Sequence, residues 1–193
     1  MLPVTVRLLT LTDLPAYKAL RDEALRNSPE VFTSDYATEV QKPASAYACR
    51  LYDAASGHFL LGAFDAQEQS LGSIALEGEA CLQKKHCATV TAMVVDPAAQ
   101  DQGIAMQLIA ACTQRALTMP HLCQLILTVT ASNTHAVRLY ERAGFTCWGL
   151  LPKSIKVNGL YYDKLYMRLD LALLRANPLR FWCTGIFFAS RYK

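Results

Sequence analysis

The stretch VVDPAAQDQGIAMQLIAACTQRA, residues 94–116, decides the fold, because it joins a predicted strand to a predicted helix through a short polar loop. Its β-branched start favours a buried strand that ends at Asp96. After the loop, apolar residues recur at helical spacing at Ile104, Leu108 and Cys112. A strand followed at once by such a helix predicts a crossover to a parallel neighbouring strand.

The hydrophobic pattern on both sides of this stretch predicts the element order β-α-α-β-β-β-α-β-α-β-β. The expected strands cover residues 4–10, 58–66, 70–80, 87–95, 122–130, 145–157 and 161–171. The expected helices cover residues 12–27, part of 28–54 with a break near Pro43, 104–116 and 133–143. The strands on either side of helix 104–116 should be parallel, and the other neighbours antiparallel. The predicted class is therefore α/β, a mixed and mostly antiparallel sheet with one central parallel pair and helices on both faces.

Composition and charge indicate one globular domain that binds neither nucleic acid nor membranes. The 193 residues are 52% hydrophobic and 18% charged, which suits a single domain with spare apolar surface. A net charge of +3, without long basic runs, argues against nucleic acid. The N-terminus lacks a signal-peptide pattern, and the apolar segment 181–190 is too short to span a bilayer. We therefore expect a cytoplasmic protein.

The cysteines and histidines predict neither disulfides nor a metal site. The seven cysteines form no C-x-x-C pair, and the four histidines form no H-x-x-x-H pair. Cys81 and Cys87 flank His86, but their spacing matches zinc ligands poorly. We expect reduced thiols and no metal.

The loop at residues 100–105 is a candidate anion site, because the first turn of a helix presents unpaired N–H groups and a positive dipole end. Gly103 and Ala105 are small enough for a phosphate to approach the backbone, and Gln100 and Gln102 supply amide donors. The loop matches neither G-x-x-x-x-G-K-S/T nor G-x-G-x-x-G. These residues alone leave two interpretations open, a tight turn or a phosphate-binding helix start.

Two motifs resemble the signatures of the GNAT-type N-acetyltransferases. The first, Q/R-x-x-G-x-G/A preceded by V-x-P, matches Val95-Asp96-Pro97 and then Gln100, Gly103 and Ala105. The second, N-x-x-A-x-x-L-Y-x-x-x-G-F, is matched by Asn133, Ala136, Leu139, Tyr140, Gly144 and Phe145. The resemblance covers residues 4–171, so we expect a GNAT domain over residues 1–171 and a C-terminal extension of unknown role over 172–193.

The resemblance implies that acetyl-CoA is the acetyl donor and that backbone groups hold most of it. The pantetheine amides are expected to bind the backbone of Met93, Val94 and Val95, like an added strand. The pyrophosphate is expected on the N–H groups of Gln100, Asp101, Gln102, Gly103, Ile104 and Ala105. Asn133 either binds the cofactor or caps its helix, and Ala136 leaves room for the cofactor beside Tyr140.

Tyr140 is the catalytic residue that the resemblance implies. Its hydroxyl would protonate the departing CoA thiolate or stabilise its charge, whereas the alternative is a packed aromatic side chain. The implied reaction is direct acetyl transfer in a ternary complex to a primary amine of a small molecule or a protein. A non-catalytic or regulatory acyl-CoA-binding domain is the competing function.

Two positions depart from the family's pattern. Thr89 stands where many members carry a glutamate that receives the amine proton, while Glu77 and Glu79 are alternative carboxylates or solvated side chains. The general base is therefore unassigned. Asp101 stands where small or basic residues are common, and its carboxylate should weaken pyrophosphate binding unless it points outward.

The acceptor and any protein partner are poorly defined by the sequence. Glu30, Asp35 and Glu39 would attract a cationic amine, but an exposed polar helix face explains them equally well, and we favour that interpretation. The apolar tail, residues 177–193, makes a homodimer a candidate assembly.

Overall fold

A computed structural model describes residues 3–53 and 57–177. Within these residues one sheet contains the strands β1 Thr5–Leu8, β2 Phe59–Phe64, β3 Ser70–Gly78, β4 Cys87–Val95, β5 Gln124–Thr130, β6 Thr146–Val157 and β7 Leu160–Asp170. The α-helices are α1 Leu14–Asn27, α2 Tyr36–Glu39, α3 Ile104–Leu117, α4 Thr134–Arg142 and α5 Leu171–Ala176. Short 3₁₀ segments connect several of these elements, among them Ala44–Arg50.

The strands lie in the order β1-β2-β3-β4-β5-β7-β6. Only β4 and β5 are parallel, and every other neighbouring pair is antiparallel. The predicted mixed sheet with one central parallel pair is therefore confirmed. The helix between the parallel strands is α3, as the stretch 94–116 indicates.

Strand β2 shows how the sheet is covered on both faces. Its odd-numbered residues, Phe59, Leu61 and Ala63, belong to the larger apolar cluster on the side of α3. Leu60 and Phe64 point the other way, into a smaller cluster with residues of α1 and the Ala44–Arg50 segment. Side chains of a strand alternate between faces, so a continuous apolar run fits a strand buried on both sides.

Helix α3 lies against the sheet through the apolar stripe that the sequence predicts. Ile104, Leu108 and Cys112 are at most 1% exposed, and Ala116 continues the stripe one turn later. A fully buried leucine or isoleucine stabilises a fold by about 1.5–3 kcal/mol. This packing fixes the first turn of α3 relative to strand β4.

The segment after α1 contains less helix than expected. Helix α2 is a single turn, capped by the Asp35 carboxylate, which accepts a 2.8 Å hydrogen bond from the Thr38 amide. Pro43 then precedes the 3₁₀ segment, so the break expected near this proline is present. Both short pieces pack beside α1, and the 3₁₀ segment also contacts β3.

The C-terminal part contains the predicted hairpin of β6 and β7. Asn158 and Gly159 both have positive φ angles, which suits the two-residue turn between these strands. Helix α5 follows β7, and Arg175 donates hydrogen bonds to backbone carbonyls that include Leu122. The rest of the tail, residues 178–193, lies outside the described residues. Among the helices that the structure describes, none is long and apolar enough to cross a membrane.

Candidate functional site

The parallel strands β4 and β5 separate after a short pairing. Residues 87–89 of β4 pair with residues 124–126 of β5, and the pairing stops there. Both strands continue, β4 to Val95 and β5 to Thr130. Beyond Thr89 the two strands therefore present backbone N–H and C=O groups to a gap rather than to each other. Such a gap can accept an extended chain that carries its own amide groups.

A β-bulge turns the chain of β4 at this gap. The register of β3 and β4 shifts between Ser73 and Ala75, where β4 has one extra residue. Ala92 takes a φ of 51°, and its carbonyl accepts a 2.9 Å hydrogen bond from the Ser73 hydroxyl. A bulge re-aims the neighbouring side chain, and Met93, the next residue, lines the two cavities on either side of the gap.

The larger of these cavities, here called the long cleft, has a volume of about 1250 Å³. It runs from the end of β4 past the start of α3 and along α4 to the last turn of that helix. The predicted cofactor-binding residues along it are Met93, Val94, Val95, Gln100, Asp101, Gly103, Ile104, Ala105, Asn133 and Ala136. Gln102 and Tyr140, the other two, are not among the residues that line it.

The start of α3 leaves its first-turn amides open to the long cleft. Gly103 precedes the helix with a φ of 77°, a left-handed conformation that glycine adopts without strain. No side chain caps this end, and the first turn contains no acidic residue. The amides and the helix dipole together form an anion site.

Two side chains of the loop have partners outside the first turn of α3. The Asp101 carboxylate is exposed, and its Oδ1 lies 3.9 Å from Nε2 of His135 at the start of α4. The Gln102 amide turns back and donates a 3.4 Å hydrogen bond to the Ala98 carbonyl. Gln100 is the glutamine that lines the cleft.

Asn133 acts as the N-cap of α4. Its Oδ1 accepts a 3.1 Å hydrogen bond from the amide of Ala136. The side-chain NH₂ group of the same residue is available to the cavities, since Asn133 lines both of them. Capping, one of the two expected roles of this residue, is therefore present.

The second cavity, here called the inner cavity, has a volume of about 330 Å³ and opens on the opposite side of the gap. Its floor consists of two Thr-Val-Thr repeats, at residues 89–91 and 128–130. Val90 and Val129 join the apolar cluster, while the threonines alternate to the other face of the sheet. The inner cavity and the long cleft share four lining residues, Met93, Asn133, Ala136 and Leu139.

Tyr140 lines the inner cavity next to these shared residues. Its side chain is 7% exposed, and its ring packs edge-on against Phe145 at 5.7 Å between centroids. Burial, followed by the nearby Cys112, raises the pKa of the hydroxyl above its usual value. The hydroxyl therefore stays protonated at neutral pH and is a hydrogen-bond donor.

Glu39 is not on an exposed helix face, so the expectation for this residue was wrong. It is 6% exposed, and its carboxylate binds Arg21 at 3.2 Å, the Tyr47 hydroxyl at 2.8 Å and Lys42 at 2.5 Å. Burial alone would raise its pKa, but the hydrogen bonds from Lys42 and Tyr47 and the charge of Arg21 lower it to about 2. Arg21 lines the inner cavity, with Glu39 behind it.

Glu77 and Glu79, the two alternative carboxylates, lie in different surroundings. Glu77 lines the inner cavity, where its Oε1 accepts a 2.9 Å hydrogen bond from the Thr91 hydroxyl and lies 3.5 Å from Nε of Arg50. Glu79 is 3.9 Å from the ammonium of Lys84 and is not among the lining residues. Thr89 lines the cavity as well, but a hydroxyl does not accept a proton at neutral pH.

Lys164 is a cavity residue that the sequence did not reveal. It lies on β7 and is 6% exposed, and its ammonium donates a 2.6 Å hydrogen bond to the Thr33 hydroxyl. Alternation along β7 places Leu165, Met167 and Leu169 on the apolar side, so the opposite orientation of Lys164 was predictable. Its burial was not, because residues 31–34 cover it from a distant part of the chain.

No group of three or more His, Cys, Asp or Glu side chains positioned to hold a metal ion occurs in residues 3–53 and 57–177. Within the same ranges the cysteines at positions 49, 81, 87, 112, 123 and 147 are free thiols. The candidate site is therefore built from backbone amides, hydroxyls, one tyrosine and a few charged side chains.

Comparison with known proteins identifies relatives of this architecture. The family described as the acetyltransferase (GNAT) domain matches residues 6–166. A spermidine N(1)-acetyltransferase from Vibrio cholerae is 29% identical over 117 residues, which cover 61% of this chain and 65%, just under two thirds, of the relative.

Solved structures show the same fold. An acetyltransferase of the GNAT family from Streptococcus pneumoniae superposes with a TM-score of 0.77 at 18% identity, covering 87% of this chain and 99% of the other. A spermidine N-acetyltransferase from Vibrio cholerae, in complex with CoA and spermine, gives a TM-score of 0.70 at 25% identity over 88% of this chain and 96% of the other.

Proposed function

Because the chain belongs to the GNAT acetyltransferase family, we propose that it transfers the acetyl group of acetyl-CoA to a primary amine in a ternary complex. One observation carries this proposal: the long cleft and the inner cavity meet at Met93, Asn133, Ala136 and Leu139. A donor in the cleft and an acceptor in the cavity would bring their reacting atoms together there. Direct transfer needs such a meeting point.

The long cleft suits acetyl-CoA in both shape and polarity. We infer that the pantetheine arm enters the gap and binds the backbone of Met93, Val94 and Val95. The pyrophosphate then lies on the amides between Gln100 and Ala105, where the start of α3 favours negative charge. The Asp101 carboxylate is solvent-exposed, so water and salt weaken its repulsion of the phosphates.

The chemistry requires one new bond and one broken bond. The amine nitrogen attacks the thioester carbonyl carbon, a C–N bond forms, and the C–S bond breaks with its electron pair on sulfur. Tyr140 donates a hydrogen bond from its hydroxyl to that sulfur and so stabilises the thiolate, which leaves with the electron pair of the broken bond. We infer that Glu77, a carboxylate lining the cavity, receives the proton that the amine loses.

Spermidine, the substrate in the name of the Vibrio cholerae relative, is a poor candidate for the acceptor of this chain. Spermidine is a polycation, whereas the described residues line the inner cavity with three cations, Arg21, Arg50 and Lys164, and with one carboxylate, Glu77. Like charges at close range disfavour binding. We therefore propose a different acceptor class, developed in the next section.

The test begins with a calorimetric titration of the purified protein with acetyl-CoA and, separately, with CoA. Micromolar binding, followed by CoA release in the presence of an amine panel, is the expected result. Binding without turnover of any amine would favour the non-catalytic acyl-CoA-binding alternative. Absence of binding at hundreds of micromolar would overturn the assignment of the long cleft.

A further inference from the structure

Lys164 is the one cation of the inner cavity for which the described residues supply no carboxylate. Arg21 is paired with Glu39, and Arg50 is paired with Glu77. The ammonium of Lys164 instead has the neutral hydroxyl of Thr33 as its partner, at 2.6 Å. Among residues 3–53 and 57–177, no ion pair to Lys164 occurs within 4.0 Å.

Burial makes this arrangement unfavourable in the empty cavity. Lys164 is 6% exposed, and a buried charge without a counter-ion loses solvation that a single hydroxyl does not replace. Consistently, burial lowers the pKa of this ammonium below its usual value. A carboxylate placed beside the ammonium would restore the lost electrostatic interaction and form a charge-assisted hydrogen bond.

The size of the inner cavity limits what can supply that carboxylate. A volume of about 330 Å³ is at the lower end of small-molecule sites. A small acceptor that carries both the reacting amine and an acid group fits within it. Arg21 and Arg50 are already compensated by Glu39 and Glu77, so Lys164 is the cation of the described lining that is left to bind such a group.

We propose that the acceptor is a small amino carboxylate whose carboxylate binds Lys164 and Thr33 while its amine reaches the meeting point of the two cavities. This proposal rests on the proposed acetyltransfer and names the class of its acceptor. Lys164 is a specificity-determining residue in this arrangement: it binds the acceptor's acid group and takes no part in bond making.

Matched acceptor pairs test the proposal directly. CoA release is measured with L-amino acids and with the carboxamide of each, which keeps the amine and removes the negative charge. The amine of a carboxamide is less basic, so intrinsic reactivity at neutral pH favours the carboxamide. A kcat/KM that is higher for the carboxylates by about 10-fold or more is expected, and a general preference for carboxamides would overturn the proposal.

Substitution of the cation gives the second part of the test. Lys164→Met keeps most of the length of the side chain and removes its charge, and the ratio of kcat/KM for carboxylates over carboxamides should fall by about 10-fold to 100-fold. Lys156→Met removes an exposed cation on β6 and should keep the wild-type ratio. Thr33→Val should lower the ratio less than Lys164→Met does. An unchanged ratio in Lys164→Met would overturn the proposal.

Binding measurements separate this proposal from the broader one. The CoA-loaded protein is titrated calorimetrically with the same amino acids, so that a result does not depend on turnover. If amino acids bind to the wild type and Lys164→Met abolishes this binding, the carboxylate site is supported even when no amine is acetylated. The lack of acetylation would then remove only the catalytic assignment. Absence of binding by every amino acid, in a protein that binds acetyl-CoA and acetylates other amines, would overturn the carboxylate site alone.

Discussion

Ala136 and Tyr140 lie one helical turn apart on α4, so that Ala136 borders both the long cleft and the inner cavity while Tyr140 borders the inner cavity. A small residue at the first position leaves space where the two cavities meet. The hydroxyl at the second position, which burial keeps protonated, is a donor at the edge of that space.

Tyr140→Phe removes this donor and keeps the ring. We expect kcat to fall about 100-fold, in the range found for a lost general acid or thiolate donor. Stopped assays of CoA release measure the turnover, and calorimetry shows whether acetyl-CoA still binds. Tyr161→Phe, at an exposed ring on β7, is the matched control. Wild-type turnover of Tyr140→Phe would reject the catalytic role.

The sheet could be predicted from the sequence because its information is local. Apolar runs such as that of β2, the alternation of β7 and the Asn158–Gly159 turn each specify one element, and the helix between β4 and β5 specifies their parallel pairing. The segment around α2 was less predictable, because its short helical turns are set by packing against α1 rather than by a sequence period.

The two cavities also differ in how far the sequence predicts them. The long cleft uses backbone groups of a continuous stretch and a glycine, so a motif of a few residues indicates it. The inner cavity brings together Arg21, Glu77 and Lys164 from distant parts of the chain. Glutamate is a residue type that usually lies at the surface, and Glu39 becomes buried only because Arg21 and Tyr47 surround it. No local pattern carries that information.

Gly103→Ala tests the left-handed residue at the start of α3. A side chain at a φ of 77° strains the backbone by about 1–2 kcal/mol, although no atom lies within 4 Å of the added Cβ. We expect a lower Tm together with a several-fold weaker Kd for acetyl-CoA, because the amides of the loop shift. Differential scanning calorimetry and titration measure the two effects.

Gly159→Ala is the matched control for that variant. Gly159 has a φ of 84°, also with open space around the added Cβ, but it lies in the β6–β7 turn and is not among the residues that line the long cleft. It should lower the Tm by a similar amount and leave the Kd for acetyl-CoA unchanged. Equal Kd values for wild type and Gly103→Ala would mean that the loop does not hold the pyrophosphate.

The buried pair of Glu39 and Arg21 should make stability depend on pH in a defined window. The pKa of Glu39 is lowered from 4.5 to about 2 in the folded state. Its contribution to stability is therefore complete above about pH 4.5 and is lost as the pH falls towards 2, with a total of roughly 3 kcal/mol. Glu39→Gln should be destabilised at pH 7 and should lose less stability than wild type on acidification.

Urea unfolding at pH 7 and at pH 3 checks this expectation for Glu39→Gln and for the control Glu23→Gln, which changes an exposed carboxylate of α1. The free energy of unfolding of the control should follow that of the wild type at both pH values. An equal loss on acidification in wild type and Glu39→Gln would show that other carboxylates, such as Asp13 with its pKa of about 2, account for the whole acid sensitivity.

Glu77→Gln tests the proton acceptor and has a close control in Glu79→Gln. Glu77 lines the inner cavity beside Thr91, whereas Glu79 faces Lys84 outside it. If Glu77 takes the proton of the amine, its loss should lower kcat/KM by about 10-fold to 100-fold near neutral pH. The deficit should shrink as the pH rises, because hydroxide and the free amine then replace the missing carboxylate.

The shape of the pH profile separates catalysis from structure. Glu77 also holds Arg50 at 3.5 Å, so a purely structural role predicts a deficit of the same size at every pH. Glu79→Gln should retain the wild-type profile. A pH-independent loss in Glu77→Gln would assign the carboxylate to the positioning of Arg50 and leave bulk water as the acceptor of the proton.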